Sequence, residues 1–219
     1  MIEISNSPSV LPVEGQVLPS VLPVEGQSTP NISGYDVLKE LGRGSFGKVF
    51  LARRHENDQQ VAIKMMHSSP TQFAFMKKLL QKEYSLMKGL KHPNILQVFA
   101  SGVTSQGLFY FGMELATMGS LDDLMLQKLT VKGFWTEERA KTIMFQAASG
   151  LNYLHSANLC HRDIKPDNIV FDYKAQVKII DFGVAAYVPP GGLIHLLFLV
   201  ILRIFIYYLC HKGGRRLFS

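Results

Sequence analysis

The sequence predicts an α+β fold in which a β-rich small lobe is followed by a helical lobe. Five short β-rich runs and one amphipathic helix fall between residues 35 and 114. A second amphipathic helix follows, and it leads into two further strand-like runs. Apolar residues make up 47% of the 219 residues and charged residues 18%, which allows a sizeable core.

Residues 1–34 differ in composition from the rest of the chain. The octapeptide SVLPVEGQ at residues 9–16 recurs at residues 20–27, and two copies are fewer than the roughly three that a stacked repeat fold needs. Several prolines in this stretch disfavour a helix. We therefore expect a disordered, partly extended leader, and a duplicated linker is favoured over a short linear motif.

The small lobe is expected to begin at Tyr35. Its helix is indicated by apolar residues that recur every three or four positions, among them Met76, Leu80 and Met87. Runs rich in β-branched and aromatic residues surround this helix. The predicted elements are strands at 35–41, 49–53 and 61–66, a helix at 71–90, and strands at 96–100 and 108–114.

The helical lobe is expected to follow a connection at residues 114–120. Thr136 is typical of a helix N-cap, and Glu137 and Glu138 suit the first turn of the helix after it. Apolar residues from Ala140 to Leu154 would form the buried face of this helix. Short strands are predicted at 169–171 and 177–180.

Charge and cysteine content exclude two classes of protein. The net charge of +6 is mild and scattered, so it does not indicate a nucleic-acid-binding surface. Two cysteines, Cys160 and Cys210, cannot form the disulfide framework of a small secreted domain. We therefore expect a reducing, cytoplasmic location and no nucleic-acid partner, and we interpret Cys160 as a small buried apolar residue.

A glycine-rich turn, LGRGSFGKV, occupies residues 41–49. Gly42, Gly44 and Gly47 would let bare backbone approach phosphate oxygens between two strands. A strand rather than a helix follows the turn, which argues against a dinucleotide-binding fingerprint. Lys48 lacks the spacing of a Walker loop. An ordinary hairpin remains an alternative for this turn taken alone.

A lysine and a glutamate lie on the inward faces of two predicted elements. Lys64 is part of the apolar strand VAIK, and Glu83 lies within the apolar stripe of the first helix. A buried ammonium group needs a partner of opposite charge. We therefore predict an ion pair between Lys64 and Glu83, and the alternative is that each side chain reaches water separately.

Polar residues cluster in two later motifs, HRDIKPDN at residues 161–168 and DFG at residues 181–183. Asp163, Asn168 and Asp181 supply carboxylate and amide oxygens, which are ligands that Mg²⁺ prefers. Taken singly, each could be a turn residue. The second motif directly follows an apolar strand.

In this order, the glycine turn, VAIK, the helix glutamate, HRDIKPDN and DFG resemble the motifs of the eukaryotic protein kinase family. The resemblance covers about residues 35–187. It implies the two-lobed protein kinase fold, with a small lobe at 35–114, a hinge at 114–120 and a partial large lobe at 121–190. It also implies ATP and Mg²⁺ as cofactors.

The resemblance assigns a role in nucleotide binding to residues of the strands and the hinge. The three glycines would cover the phosphates, and Lys64, held by Glu83, would contact the α and β phosphates.

Adenine binding is implied for residues of the strands and of the hinge at 114–116. Val49 and Ala62 would pack on the adenine, and Met113 would guard the pocket behind it. The backbone of Glu114 and Ala116 would bind the edge of the adenine.

The resemblance also assigns the catalytic residues. Asp181 and Asn168 would hold Mg²⁺, and Asp163 would accept the proton of a serine or threonine hydroxyl of a protein substrate. Lys165 resembles the serine/threonine branch of the family, in which it lies near the transferred phosphate. Dual specificity is compatible with these residues.

After Tyr187 the sequence departs from the family pattern. It has no Ala-Pro-Glu stretch and no further amphipathic helices. Residues 193–210 are an apolar run interrupted by His195 and Arg203, and residues 211–219 form a basic tail. The run is a short candidate transmembrane helix with membrane contact, or a misread or alternatively spliced tail, and the abrupt change favours the second interpretation.

The leading functional hypothesis is a serine/threonine kinase that transfers the γ-phosphoryl group of Mg·ATP to protein hydroxyls. We expect little or no phosphotransfer by this chain alone, because the family supports its catalytic loop with helices beyond the Ala-Pro-Glu stretch. The alternatives are a non-catalytic, ATP-binding regulatory fragment and a membrane-anchored interaction protein. The sequence predicts no oligomeric state.

Overall fold

The computed structural model of the chain describes residues 29–44, 47–66, 72–127 and 137–189. Most of the predicted leader, the apolar run at 193–210 and the basic tail lie outside the described residues. The tip of the glycine turn and the predicted N-cap Thr136 also lie outside them. Within the residues that are described, no helix is both long and apolar enough to cross a membrane.

The small lobe is a five-stranded antiparallel sheet with one helix packed against it. The strands lie in the spatial order β1-β2-β3-β5-β4, and helix α1 connects β3 to β4. This confirms the predicted strand count and the position of the helix. The elements are β1 (Tyr35–Gly44), β2 (Gly47–Arg54), β3 (Gln60–Met66), α1 (Phe73–Met87), β4 (Val98–Val103) and β5 (Phe109–Met113).

Several boundaries of the small lobe differ from the prediction, and contacts of the folded chain account for two of them. Strand β4 begins at Val98 rather than at residue 96, because Leu96 donates its backbone N–H to Ile179 of the large lobe instead of to the sheet. Ordered structure also starts before Tyr35. Ile32 is almost fully buried in the core of the small lobe, so the last residues of the predicted leader belong to the folded unit.

The large lobe contains the predicted long helix, α3 (Glu137–Ser156), and the predicted short strands, β7 (Ile169–Phe171) and β8 (Val177–Ile179), which pair as a hairpin. A two-residue ladder joins β6 (Leu159–Cys160) to β9 (Ala186–Tyr187), and a 3₁₀ turn spans Pro166–Asn168. This ladder was not predicted, because two residues are too few to show a period.

A short helix, α2 (Leu121–Gln127), follows the hinge and was also not predicted. At seven residues it is too short for a clear apolar period. Its start nevertheless carries a reciprocal cap. Ser120 Oγ accepts a hydrogen bond from the backbone N–H of Asp123 at 3.0 Å, and the Asp123 carboxylate accepts one from the backbone N–H of Ser120 at 2.8 Å.

The two lobes share one continuous core. The loop before β4 runs beside β8 as a parallel bridge between Ile95 and Ile179, with Ile179 N–H donating to Asn94 O at 3.0 Å. Leu154 of α3 and Phe182 are fully buried in the same cluster as the small-lobe sheet. The β7–β8 hairpin is therefore joined to the small-lobe sheet through the loop before β4.

Candidate active site

Lys64 and Glu83 form the predicted ion pair at the centre of the small lobe. Lys64 Nζ donates to Glu83 Oε1 at 2.7 Å and to Oε2 at 2.8 Å. The Lys64 side chain is 11% exposed and the Glu83 side chain 2%. The pairing follows from the local structure, because Lys64 lies on the inward face of β3 and Glu83 on the face of α1 that packs against the sheet.

A third charged group lies beside this pair. Asp181 Oδ1 is 3.4 Å from Lys64 Nζ, and the Asp181 side chain is 40% exposed. Burial alone would lower the pKa of Lys64, but the carboxylates of Glu83 and Asp181 outweigh it and raise that pKa above its ordinary value. The ammonium group therefore stays charged and lies between two carboxylates, one buried and one accessible.

The loop at residues 161–168 gathers the next three polar groups. Asn168 Nδ2 donates to Asp163 Oδ2 at 2.9 Å and to the Asp163 backbone oxygen at 2.8 Å. Lys165 Nζ lies 3.0 Å from Asp163 Oδ2, and the hydrogen bond to this carboxylate is the main cause that raises the pKa of Lys165. Asp163 is thereby oriented by an amide and an ammonium while its side chain remains 38% exposed.

His161 links the loop at residues 161–168 to the strand that leads to Asp181. Its Nε2 lies 2.8 Å from the Ile180 carbonyl oxygen, and its Nδ1 accepts the backbone N–H of Asp163 at 3.3 Å. This pattern requires the neutral tautomer with the proton on Nε2. Burial lowers the pKa of His161 accordingly. Its ring also packs edge-on against Phe182 at 4.8 Å between centroids.

Two residues of these motifs have left-handed backbone conformations. Arg162 has a φ of 66° and Asp181 a φ of 63°. Such conformations are uncommon for residues other than glycine and are retained where the surrounding structure holds them. Arg162 Nε donates to the Val184 carbonyl oxygen at 2.6 Å, and Ile180 N–H donates to Asn168 O at 3.0 Å. The first motif is therefore hydrogen-bonded to the residues directly before and after the second motif.

The sheet register brings the predicted adenine-contacting side chains together. Val49 lies opposite Lys64 in the β2–β3 ladder, and Ala62 lies opposite Met113 in the β3–β5 ladder. Ala62 and Lys64 are two residues apart on β3, so all four side chains lie on one face of the sheet. Ala116 is partly buried just beyond β5, in the hinge.

The three glycines of the turn differ in their surroundings. Among the described residues, a Cβ built on Gly42 would meet no atom within 4 Å, and one built on Gly44 would touch Gly47 O at 3.9 Å. A Cβ on Gly47 would lie 2.2 Å from the backbone oxygen of Met65. Gly47 is thus required by the close approach of β2 to β3, whereas a Cβ at Gly42 or Gly44 would overlap no atom of the described residues.

The donor set fits a magnesium ion that is shared with a phosphate ligand. The Asn168 amide donates to Asp163 through its nitrogen, so its oxygen is left to act as an acceptor, and Asp181 offers an accessible carboxylate. Among the described residues, no group of three or more His, Cys, Asp or Glu side chains could hold a metal by itself. Phosphate oxygens and water would therefore complete the coordination.

Comparison with known proteins decides the family. A sequence model of the protein kinase domain matches residues 35–197, which is well over half of the chain. The chain belongs to the protein kinase family. The match continues past Tyr187 into the first residues of the apolar run, so the kinase resemblance is longer than the motifs alone predict.

Curated relatives of this kinase domain are named as kinases, and the first of the three that follow is named as a serine/threonine kinase. The probable serine/threonine-protein kinase MARK-A of Dictyostelium discoideum is 39% identical over 162 residues, which are 74% of this chain and 15% of that protein. CBL-interacting protein kinase 11 of Oryza sativa subsp. japonica is 35% identical over 74% of this chain and 32% of its own length. Aurora kinase B-A of Xenopus laevis is 34% identical over 72% and 42%. The chain spans less than half the length of each of these three relatives.

Two features of the kinase site were missed by sequence reasoning. His161 belongs to the motif HRDIKPDN, but its role does not follow from the sequence because its hydrogen bonds depend on how two loops meet. Lys178 of β8 pairs with Glu114, with its Nζ at 3.0 Å from Oε1, although Glu114 was predicted to act only through its backbone. A lysine inside the apolar strand VKII is the same signal that identified Lys64, so Lys178 could have been found.

Proposed function

We propose that this kinase domain transfers the γ-phosphoryl group of Mg·ATP to serine or threonine hydroxyls of a protein substrate. The observation that carries the proposal is the approach of Asp181 Oδ1 to within 3.4 Å of Lys64 Nζ, beside the buried pairing of Lys64 with Glu83. A cation for phosphates and a carboxylate for a metal are thereby adjacent, which is the arrangement that phosphoryl transfer requires.

The nucleotide would occupy the cleft between the sheet and the β7–β8 hairpin. Val49 and Ala62 would contact the adenine, Met113 would lie behind it, and the backbone of Glu114 and Ala116 would bind its edge. The space beside Gly42, where a Cβ would meet none of the described atoms within 4 Å, supports the proposed role of the glycine turn over the phosphates. Gly47 contributes by allowing β2 and β3 to approach each other closely.

Asp163 is the proposed proton acceptor for the substrate hydroxyl. Its carboxylate is accessible, and its contacts with Asn168 and Lys165 orient it. Asn168 and Asp181 are the proposed magnesium ligands, and the bound metal would neutralise phosphate charge. Lys165, 3.0 Å from Asp163, would lie near the transferred phosphate and stabilise its negative charge.

The test is a transfer assay with radiolabelled ATP and a generic basic protein substrate. The parent chain is compared with Asp163→Asn, which keeps the size of the side chain and removes its basicity. We expect a low rate from the chain alone, and the labelling that does occur should disappear in the variant. Equal labelling of the substrate by both proteins would contradict the role of Asp163. Mg·ATP binding with no transfer would favour the non-catalytic, regulatory alternative.

We propose a cytoplasmic location for the kinase. Cys160 is buried and unpaired with another cysteine, as expected in a reducing compartment. Membrane contact through residues 193–210 is a separate proposal that rests on sequence alone. Flotation with liposomes separates the two: the full chain would float and a chain that ends at Val188 would not, whereas a full chain that stays with the soluble fraction would contradict membrane contact.

A further inference from the structure

A second buried lysine lies beneath the hinge and has no part in the roles described above. Lys178, on β8, has a side chain that is 9% exposed, and its Nζ donates to Glu114 Oε1 at 3.0 Å and Oε2 at 3.1 Å. Glu114 is the first residue after β5, at the start of the hinge. A buried ammonium is costly without a partner, so the pair holds the Glu114 side chain against the hairpin below the cleft.

Glu114 is also held by the loop before β4. Its Oε1 accepts the backbone N–H of Gln97 at 2.8 Å, and its own backbone N–H donates to Gln97 O at 2.9 Å. Side chain and backbone of Glu114 are thus fixed from two sides, by Gln97 and by Lys178. The hinge backbone that follows is therefore positioned by contacts that lie outside the nucleotide cleft.

Lys178 lies three residues before Asp181 on the same segment. This segment has little freedom, because Ile179 exchanges backbone hydrogen bonds with Asn94 and Leu96, and Ile180 N–H donates to Asn168 O at 3.0 Å. A displacement of Glu114 is therefore opposed by the same strand that carries Asp181. The adenine-binding backbone and the metal-binding carboxylate are joined through one ion pair.

We propose that Lys178 is a positioning residue that acts through Glu114 and couples adenine binding at the hinge to metal binding at Asp181. The inference rests on the proposed function, since it concerns the same nucleotide site. Lys178 itself contacts neither ligand. Coupling between two sites is reciprocal and typically amounts to about 5-fold to 150-fold in affinity. Loss of the Lys178–Glu114 pair should therefore weaken adenine binding and reduce the gain in nucleotide affinity that Mg²⁺ provides.

The experiment is isothermal titration calorimetry with two probes. Adenosine reports the hinge alone, and the ratio of ADP affinities with and without Mg²⁺ reports the metal's contribution. Lys178→Met should lower the adenosine affinity and the Mg²⁺ ratio, each by about fivefold or more. Lys174→Met changes an exposed lysine in the turn between β7 and β8, and it should retain the adenosine affinity and the Mg²⁺ ratio of the parent. Lys178→Arg should restore most of both, because it keeps the ion pair.

Three further variants keep the test decisive. Glu114→Gln removes the charge of Glu114 but keeps an acceptor for Gln97. It should therefore lower the adenosine affinity and the Mg²⁺ ratio as Lys178→Met does, and it replaces that variant where Lys178→Met does not fold. Asp181→Asn should abolish the effect of Mg²⁺ on the ADP affinity and leave the adenosine affinity at the parent value. The double variant Lys178→Met with Glu114→Gln should be no worse than either single variant, because both break one interaction.

The outcomes separate this inference from the proposed function. The coupling would be overturned, while the proposed function stands, by either of two results. One is an Mg²⁺ ratio in Lys178→Met that equals that of the parent chain. The other is a loss of binding free energy in the double variant that equals the sum of the losses in the two single variants. A parent chain that binds neither adenosine nor Mg·ADP would overturn the proposed function and, with it, the coupling. Reduced adenosine affinity together with a reduced Mg²⁺ ratio, reversed by Lys178→Arg, would support the coupling.

Discussion

The two halves of the candidate site are held in place by different means. Lys64 projects from strand β3 and Glu83 from helix α1, and the regular backbone hydrogen bonds of these elements fix both residues. The Lys64 ammonium and the Glu83 carboxylate are buried. Asp163 and Asp181 lie in loops and are more than a third exposed. The loops are held by His161, by two left-handed residues and by the short β6–β9 ladder. Stability should therefore depend on the first half and chemistry on the second.

The largest expected effect is on the strand-borne half. Glu83→Gln leaves the Lys64 ammonium buried without its main counter-charge, and breaking such a pair typically costs roughly 3–5 kcal/mol, with the lower end expected because the amide oxygen still accepts. Urea unfolding followed by circular dichroism measures the free energy of unfolding. The Arg54–Glu56 pair is shorter, at 2.6 Å, but exposed. Glu56→Gln should therefore cost at most about 1 kcal/mol. Equal losses in the two variants would contradict the comparison.

The glycine turn offers a sharper test of the same half. Gly47→Ala would bring a methyl group to 2.2 Å from the Met65 backbone oxygen, which would force β2 and β3 apart. Overpacking of this kind costs about 1–3 kcal/mol in the free energy of unfolding. Gly42→Ala in the same turn enters open space and should change it by no more than about 0.5 kcal/mol. A Gly42→Ala variant that melts at a lower temperature than Gly47→Ala would contradict the close approach of β2 to β3 at Gly47.

A smaller effect is expected from pH in the loop-borne half. Burial lowers the pKa of His161 below its usual value of 6.5, so the folded protein keeps this ring neutral. Below pH 6.5 the unfolded chain gains a proton that the folded chain does not, and stability falls as the pH falls. Between pH 6.5 and 5.5 the parent should lose up to about 1 kcal/mol more than His161→Phe. Identical pH slopes would contradict a buried neutral histidine.

What could be predicted from the sequence follows the same division. Lys64 and Glu83 lie in elements with regular periods, so their burial and pairing could be derived from the residues alone. The signal at Lys178 was equally clear, but its partner Glu114 lies in the hinge, where no period says which way a side chain points. Helix α2 and the β6–β9 ladder are too short to produce a period.

The loop residues depend on contacts distant in sequence. The left-handed conformation of Arg162 accompanies a hydrogen bond to Val184, and the role of His161 depends on Ile180. Neither contact leaves a pattern in the local sequence. The motifs that contain these residues could be identified only through their resemblance to a family, whereas the strand-borne residues could be interpreted physically before that resemblance was considered.

The most direct test is whether both halves act on one nucleotide. Thermal stabilisation by Mg·ATP is measured for the parent chain, for Lys64→Met and for Asp181→Asn, with Lys174→Met as the exposed control. We expect the parent and the control to melt at a higher temperature with Mg·ATP, since a ligand that binds only the folded state stabilises it. Both site variants should lose most of this shift. A parent that does not respond, or site variants that respond like the parent, would contradict the assignment of Lys64 and Asp181 to a single Mg·ATP site.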